Sequence, residues 1–153
     1  CPGSLVVPNQ IIDYTWGRKS TFHENSEEPV VHIDFTEPYD LALRQRILRA
    51  AAAAGEKVAD GAVYGATQGP RLETAAEINR MERDGCDVVG MTGMPEAALA
   101  RELGIPYAAI NVIANFAAGR AASASGICFD SIDTVLREAM GRVRHVLDHI
   151  CEA

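Results

Sequence analysis

Short-spaced cysteine pairs are missing from this chain. Its four cysteines, Cys1, Cys86, Cys128 and Cys151, form no C-x-x-C, the spacing typical of zinc ribbons and redox motifs. Unpaired thiols of this kind fit a reduced, cytoplasmic protein. No H-E-x-x-H motif occurs either. His145 and His149 stand four apart with no glutamate between them, so a solvated helix face is expected there rather than a metal site. Basic charge is scarce: the net charge is −7, with the acidic residues scattered, which argues against a nucleic-acid surface built on a basic stripe. No apolar run is long enough to predict a transmembrane helix. Internal repeats and low-complexity linkers are absent as well. The first residues, Cys1-Pro2-Gly3, are neither an initiator methionine nor a signal peptide, so upstream residues are expected.

What is present is an ordinary globular composition. The chain has 153 residues, 48% hydrophobic and 23% charged, enough for one domain with its own core. Leu5-Val6-Val7 reads as a strand that Ile11-Ile12 extends, and residues 13–30 read as a long polar loop. Asp40 is placed to cap a helix through Ala54 with Ile47, Leu48, Ala51 and Ala54 on one face, stopped by Gly55. Ala62 to Ala66 reads as a strand, Glu73 to Arg83 as a helix and Asp87 to Met91 as a short buried strand. A helix beginning near Pro95 ends at Gly104, and the apolar run Ile105 to Ala114 reads as a central strand. Residues 117–126 are small and flexible in composition. The clearest helix is the last, where Ile132, Val135, Leu136, Ala139, Met140, Val143, Val146, Leu147 and Ile150 follow the helical period. Alternating strands and helices predict an α/β fold, a mixed central sheet flanked by helices.

Three segments sit at strand ends, where α/β sheets place ligands: Gln68 to Thr74, Met91 to Glu96, and Asn115. Taken singly, each residue has a bland reading. Glu73 suits the positive end of a helix, Asn115 a turn, Met91 a core position and Thr92 a local hydrogen bond. Together they carry more. A carboxylate at Glu73 accepts from a purine N1–H, and the Asn115 amide offers both a donor and an acceptor. Such a pair reads the edge of a 6-oxopurine.

These segments resemble the trimeric purine nucleoside phosphorylase and methylthioadenosine phosphorylase family over almost the whole chain. The resemblance rests on Asn9-Gln10-Ile11-Ile12-Asp13, Gly69-Pro70-Arg71-Leu72-Glu73-Thr74, Met91-Thr92-Gly93-Met94-Pro95-Glu96 and the strand ending at Asn115. It implies phosphorolysis of a purine nucleoside in purine salvage. Asn115 would be the catalytic residue at O6/N7, with Glu73 at N1, Leu72 packing on the base, Met91 against the ribose and Thr92 touching phosphate. Methylthioadenosine phosphorylases typically carry Asp where Asn115 and Ala117 stand, so 6-oxopurines are expected here. Ile132 and Leu136 share a helix face. Periodicity alone makes them core residues, whereas the resemblance places them beside the sugar 5′ substituent. His32 resembles a histidine reaching a neighbouring subunit's 5′ pocket, though a solvated or core histidine is an equal reading.

The expected reaction is S-methyl-5′-thioinosine plus phosphate giving hypoxanthine and 5-methylthioribose 1-phosphate. Inosine or guanosine phosphorolysis, methylthioadenosine phosphorolysis and a non-catalytic purine-binding module are the alternatives. The resemblance implies a homotrimer with shared sites, no cofactor or metal, and inorganic phosphate as co-substrate. The family's Gly-rich phosphate turn and Arg-His pair find no match in these residues. The chain is therefore expected to be the C-terminal part of a single, longer domain.

Overall fold

The computed structural model describes residues 1–24 and 29–152. Its elements run β1 (Leu5–Val7), β2 (Gln10–Asp13), α1 (Leu41–Ala53), β3 (Val58–Asp60), β4 (Val63–Ala66), α2 (Ala75–Arg83), β5 (Val88–Gly90), α3 (Glu96–Glu102), β6 (Asn111–Val112), a 3-10 turn at Ala121–Ser123, and α4 (Phe129–Glu152). This is the expected α/β architecture.

Two three-stranded sheets form, in the orders β3-β1-β6 and β2-β4-β5. Both are built from the same two stretches of chain. Residues 5–13 supply β1 and then β2, and residues 58–66 supply β3 and then β4, parallel throughout. Ile11 and Ile12 therefore do not extend the first strand. The chain breaks at Pro8-Asn9, and the second stretch breaks beside it at Gly61-Ala62. There the Asn9 side-chain oxygen accepts from the Ala62 amide at 2.8 Å, which satisfies that amide where the ladder is interrupted. Arg44 reaches the same break from α1. It is buried, and it donates to Pro8 O at 2.7 Å and Asp60 Oδ1 at 2.6 Å, which satisfies a cation that would otherwise be costly to bury.

Helix α1 begins where Asp40 accepts from the Leu43 amide at 2.7 Å, and it buries Ile47, Ala50 and Ala51 against Val7 and Val146. Helix α4 packs beside it through Val146, and its Ala139 and Val143 bury against Leu5 of β1. Met140 and Leu147, expected in the core, are instead 53% and 46% exposed, so the helix buries a narrower stripe than its apolar period suggests. Arg142 fixes α4 to the sheet by donating to Glu56 Oε2 at 2.6 Å and Gly3 O at 2.7 Å.

Helix α2 starts later than expected. Thr74 is its N-cap and forms a reciprocal capping box with Glu77, a motif that satisfies two orphan amides at once. Glu73 therefore lies outside the helix. The apolar run 105–114 is corrected more strongly. Its strand is confined to Asn111–Val112, antiparallel to β1, and Ile105 is 54% exposed. Beyond the ladder, Ile113 exchanges backbone bonds with Gly3 and Ser4 at 2.7 Å and 2.9 Å. Between Tyr14 and Asp40 no described residue is helical or extended in a ladder, as expected of a long loop.

Candidate active site

Strand β4 ends at Ala66, and the turn that follows carries Thr67, Gln68 and Gly69 toward α2. Thr67 is buried, and its amide donates to Gly90 O at 2.7 Å, which ties the end of β4 to the end of β5. Its hydroxyl lies 2.7 Å from Glu73 Oε1 and 3.2 Å from Gly90 O. The shorter contact, to a carboxylate, is the stronger. Glu73 Oε2 takes no hydrogen bond among the described residues. The glutamate is thus held by one oxygen while the other is left open.

A cavity of about 440 Å³ lies against this turn, with Asp13, Tyr14, Trp16, Thr67, Gly69 and Glu73 in its wall. Gly69 has φ of +65°, and a Cβ there would sit 2.5 Å from Met91 Sδ. Only glycine accommodates both the left-handed turn and that close approach. Met91 is in this way packed directly over the turn that carries Glu73. Thr92 is anchored separately: its hydroxyl and its amide lie 3.2 Å and 3.3 Å from the phenol oxygen of Tyr64, a buried residue of β4.

Across the outer wall, Arg71 grips both Glu77 carboxylate oxygens at 2.7 Å and 2.8 Å. That pair, together with the Thr74 amide, pulls the Glu77 carboxyl down from 4.5 to about 2. Tyr14 donates to Asp84 Oδ2 at 2.8 Å and lies 5.6 Å beneath the Arg80 guanidinium. Burial and then the Asp84 bond push its phenol well above the usual range. Cys86, 3.7 Å from the same phenol oxygen, is pushed up by burial.

The remaining expected residues lie elsewhere. Asn115 is half-buried, and its amide nitrogen donates to Phe116 O at 2.7 Å. This is the local turn bond its bland reading predicts, and Asn115 does not line the cavity. The chain beyond it nevertheless returns to α2. A Cβ on Gly119 would lie 2.8 Å from Ala75 Cβ, and Arg120 donates to Asn79 Oδ1 and Glu82 Oε2 at 2.8 Å and 2.6 Å. Leu72 is half-buried outside the cavity wall. Ile132 and Leu136 are half-buried near the start of α4 and belong to no core cluster, which weakens their reading as core residues. His32 is exposed on the long loop. His145 and His149 stack edge to face 4.8 Å apart.

Two residues with central positions carried no motif in the sequence. Thr67 orients Glu73 across a turn. Arg18, on the polar loop, donates to the backbone oxygens of Thr67, Gln68, Met91 and Met94. An arginine in a long polar loop is usually a solvated charge, and no local pattern marks this one. No described helix is long and apolar enough to cross a membrane.

The chain is 52% identical over 99% of its length to "Probable S-methyl-5′-thioinosine phosphorylase" of Pseudomonas syringae pv. tomato, covering 61% of that protein. It is 47% identical over 77% of its length to "Probable 6-oxopurine nucleoside phosphorylase" of Moorella thermoacetica, covering 45% of that one. Among solved structures, a double mutant of the adenosine/methylthioadenosine phosphorylase of Schistosoma mansoni in complex with adenine superposes with a TM-score of 0.90 at 29% identity, covering 97% of this chain and 59% of that one. The chain thus spans about half to three fifths of the curated relatives it matches. Residues 1–152 match one family throughout, and with the sheet pairing and the Glu73 and Met91 turns in place, the chain belongs to the phosphorylase superfamily.

Proposed function

We propose that the protein carrying this chain cleaves 6-oxopurine nucleosides with phosphate, and that its preferred substrate is S-methyl-5′-thioinosine. The observation that carries this reading is Glu73, fixed through Oε1 by Thr67 with Oε2 unengaged beside a cavity. An oriented carboxylate oxygen suits the N1–H of hypoxanthine. Facing a 6-aminopurine, it would meet a lone pair and forfeit a hydrogen bond worth ~1 kcal/mol or more. The 52% identity to a protein named for methylthioinosine supports the same choice.

Breaking the N-glycosidic bond leaves positive charge on the ribosyl ring and negative charge on the purine. Donors aimed at the departing base stabilise that charge most when they are preorganised. Asn115 is assigned this role at O6/N7. Its amide spends one N–H on Phe116 O and keeps the second, together with its oxygen. Leu72 and Met91 are assigned to pack on the base and ribose, and Thr92 to offer its hydroxyl to phosphate. Phosphate attacks the anomeric carbon as the C–N bond breaks, and the purine leaves with the bonding pair and takes up a proton. No covalent enzyme intermediate and no cofactor is required. Ile132 and Leu136 provide the apolar surface for the methylthio group, where a CH₂-sized group gains ~0.8 kcal/mol on burial. A cytoplasmic homotrimer completes the reading. Its support is the long loop, on which Trp16 and Val30 are 74% and 73% exposed and from which His32 would reach a neighbouring 5′ pocket.

The test is phosphate-dependent base release by the protein carrying this chain, with methylthioinosine, inosine and methylthioadenosine side by side. Rapid hypoxanthine release from methylthioinosine, with inosine slower, is expected. Inosine cleaved equally fast would keep the base assignment and remove the methylthio pocket. Dominant adenine release would overturn the base assignment, and no release from any of them would leave a purine-binding module.

A further inference from the structure

The two turns that carry the candidate site belong to different connections, one after β4 and one after β5, and they meet where the Thr67 amide donates to Gly90 O and Met91 packs against Gly69. A side chain from a third segment braces both. Arg18 sits half-buried between them and directs its guanidinium at both. Its Nη2 lies 3.1 Å from each of Thr67 O, Gln68 O and Met91 O, its Nη1 donates to Met94 O, and its Nε donates to Gln68 Oε1 at 3.1 Å. The same Gln68 oxygen accepts from the Trp16 amide at 3.2 Å, which holds the loop around the arginine. Every partner is an oxygen of one turn or the other.

A guanidinium presents five N–H donors in a rigid planar fork and no acceptor. It is the side chain able to serve this many carbonyls in a fixed geometry. Thr67 and Gln68 lead directly into Gly69 and Glu73, and Met91 to Met94 bracket Thr92. The spacing between the base-facing carboxylate and the ribose- and phosphate-facing groups is therefore braced, beyond the direct Thr67–Gly90 and Gly69–Met91 contacts, by one residue remote in sequence from both.

We propose that Arg18 is a positioning residue: it touches no substrate, but it holds the Glu73 turn and the Met91-Thr92 turn in one frame, so that base and sugar are gripped in register. This rests on the function proposed above. Displacing a positioned group by about 1 Å costs on the order of 100-fold in rate. Loss of the fork should therefore fall on kcat more than on KM for phosphate-dependent base release.

The experiment compares Arg18→Ala and Arg18→Lys with the unaltered protein by steady-state kinetics on methylthioinosine, hypoxanthine binding by calorimetry, thermal unfolding and amide hydrogen exchange. For Arg18→Ala, kcat is expected to fall roughly 100-fold, with faster exchange confined to residues 67–74 and 91–96. Millimolar guanidinium should restore part of the activity. Arg18→Lys, a point charge without the fork, should recover little. Either of two results overturns the proposal: kinetics within twofold of the unaltered protein, or a loss without guanidinium rescue that accompanies faster exchange throughout the domain. If the unaltered protein cleaves no 6-oxopurine nucleoside, the function reading fails by itself. Arg18 is then judged by exchange in the two turns and by hypoxanthine affinity, and no change in both would refute it.

Discussion

Replacing Thr67 with valine tests the central geometric claim with almost no change of shape. The Thr67 hydroxyl contacts Glu73 Oε1 at 2.7 Å and Gly90 O at 3.2 Å. Gly90 O also accepts from the Thr67 amide at 2.7 Å, so it keeps a partner when the hydroxyl is removed. Only the carboxylate loses its orienting bond. A hydrogen bond to a charged group contributes ~1.5–3 kcal/mol net. The half-buried position of Glu73 lets water replace part of that in the resting protein, so the stability cost should lie near or below the lower figure. Catalysis has no such relief, because a watered carboxylate no longer points at the base. Carried into the transition state, the same range is roughly a 10- to 150-fold loss in kcat/KM. The assay is hypoxanthine release from methylthioinosine, with Thr67→Ser, which keeps the hydroxyl, as the control expected to stay within a few-fold. If Thr67→Val proves folded and its kcat/KM stays within twofold, Thr67 does not orient Glu73 for catalysis.

Asn115→Asp should move preference from methylthioinosine toward methylthioadenosine; an unchanged ratio of the two rates would show that Asn115 does not read the base. Leu136→Asn should lower the advantage of methylthioinosine over inosine by roughly 4-fold per CH₂-equivalent no longer buried, measured as a ratio of kcat/KM, and a constant ratio would place the methylthio group elsewhere. The Glu77 carboxyl is lowered on folding from 4.5 to about 2, first by Arg71 and then by the Thr74 amide. A depressed carboxyl stabilises the fold above its unfolded pKa and loses that contribution as pH falls through the folded one. Glu77→Gln should therefore flatten the decline of unfolding temperature between about pH 4.5 and 2, and two parallel curves would contradict the linkage.

Helices α1, α2 and α4 were legible because their signals are local. Asp40 caps three residues ahead, and glycine stops α1. Strand length was not legible. The run 105–114 is nearly continuously apolar, but apolarity reports a tendency to leave water, not the presence of a partner strand. Strand β3 was missed because Val58-Ala59-Asp60 holds one β-branched residue and is largely exposed, whereas the equally short Leu5-Val6-Val7 is apolar throughout. The start of α2 was placed two residues early because Thr74, with Glu77 three positions on, outcompetes Glu73 as the organiser of the first turn. In the site, the motif turns were visible, and Glu73 and Met91 are held as a unit. The groups that hold them were not visible. The bonds from Arg18 to backbone oxygens span 49 to 76 residues, a range at which sequence spacing says nothing about contact.

The uneven burial of α4 divides the helix mechanically. Its buried residues, Ala139, Val143 and Val146, and the Arg142 bonds all lie beyond its first ten residues. Ile132 and Leu136 occupy the portion without core contacts, and Phe129 at its start is 68% exposed. The helix is thus a beam clamped from Ala139 onward and only partly covered before it. Opening energy follows local burial, so amides near residues 129–138 should exchange soonest. The wall assigned to the sugar's 5′ substituent is then the compliant end of a rigid rod, able to settle onto groups of different size while the sheet behind it stays fixed.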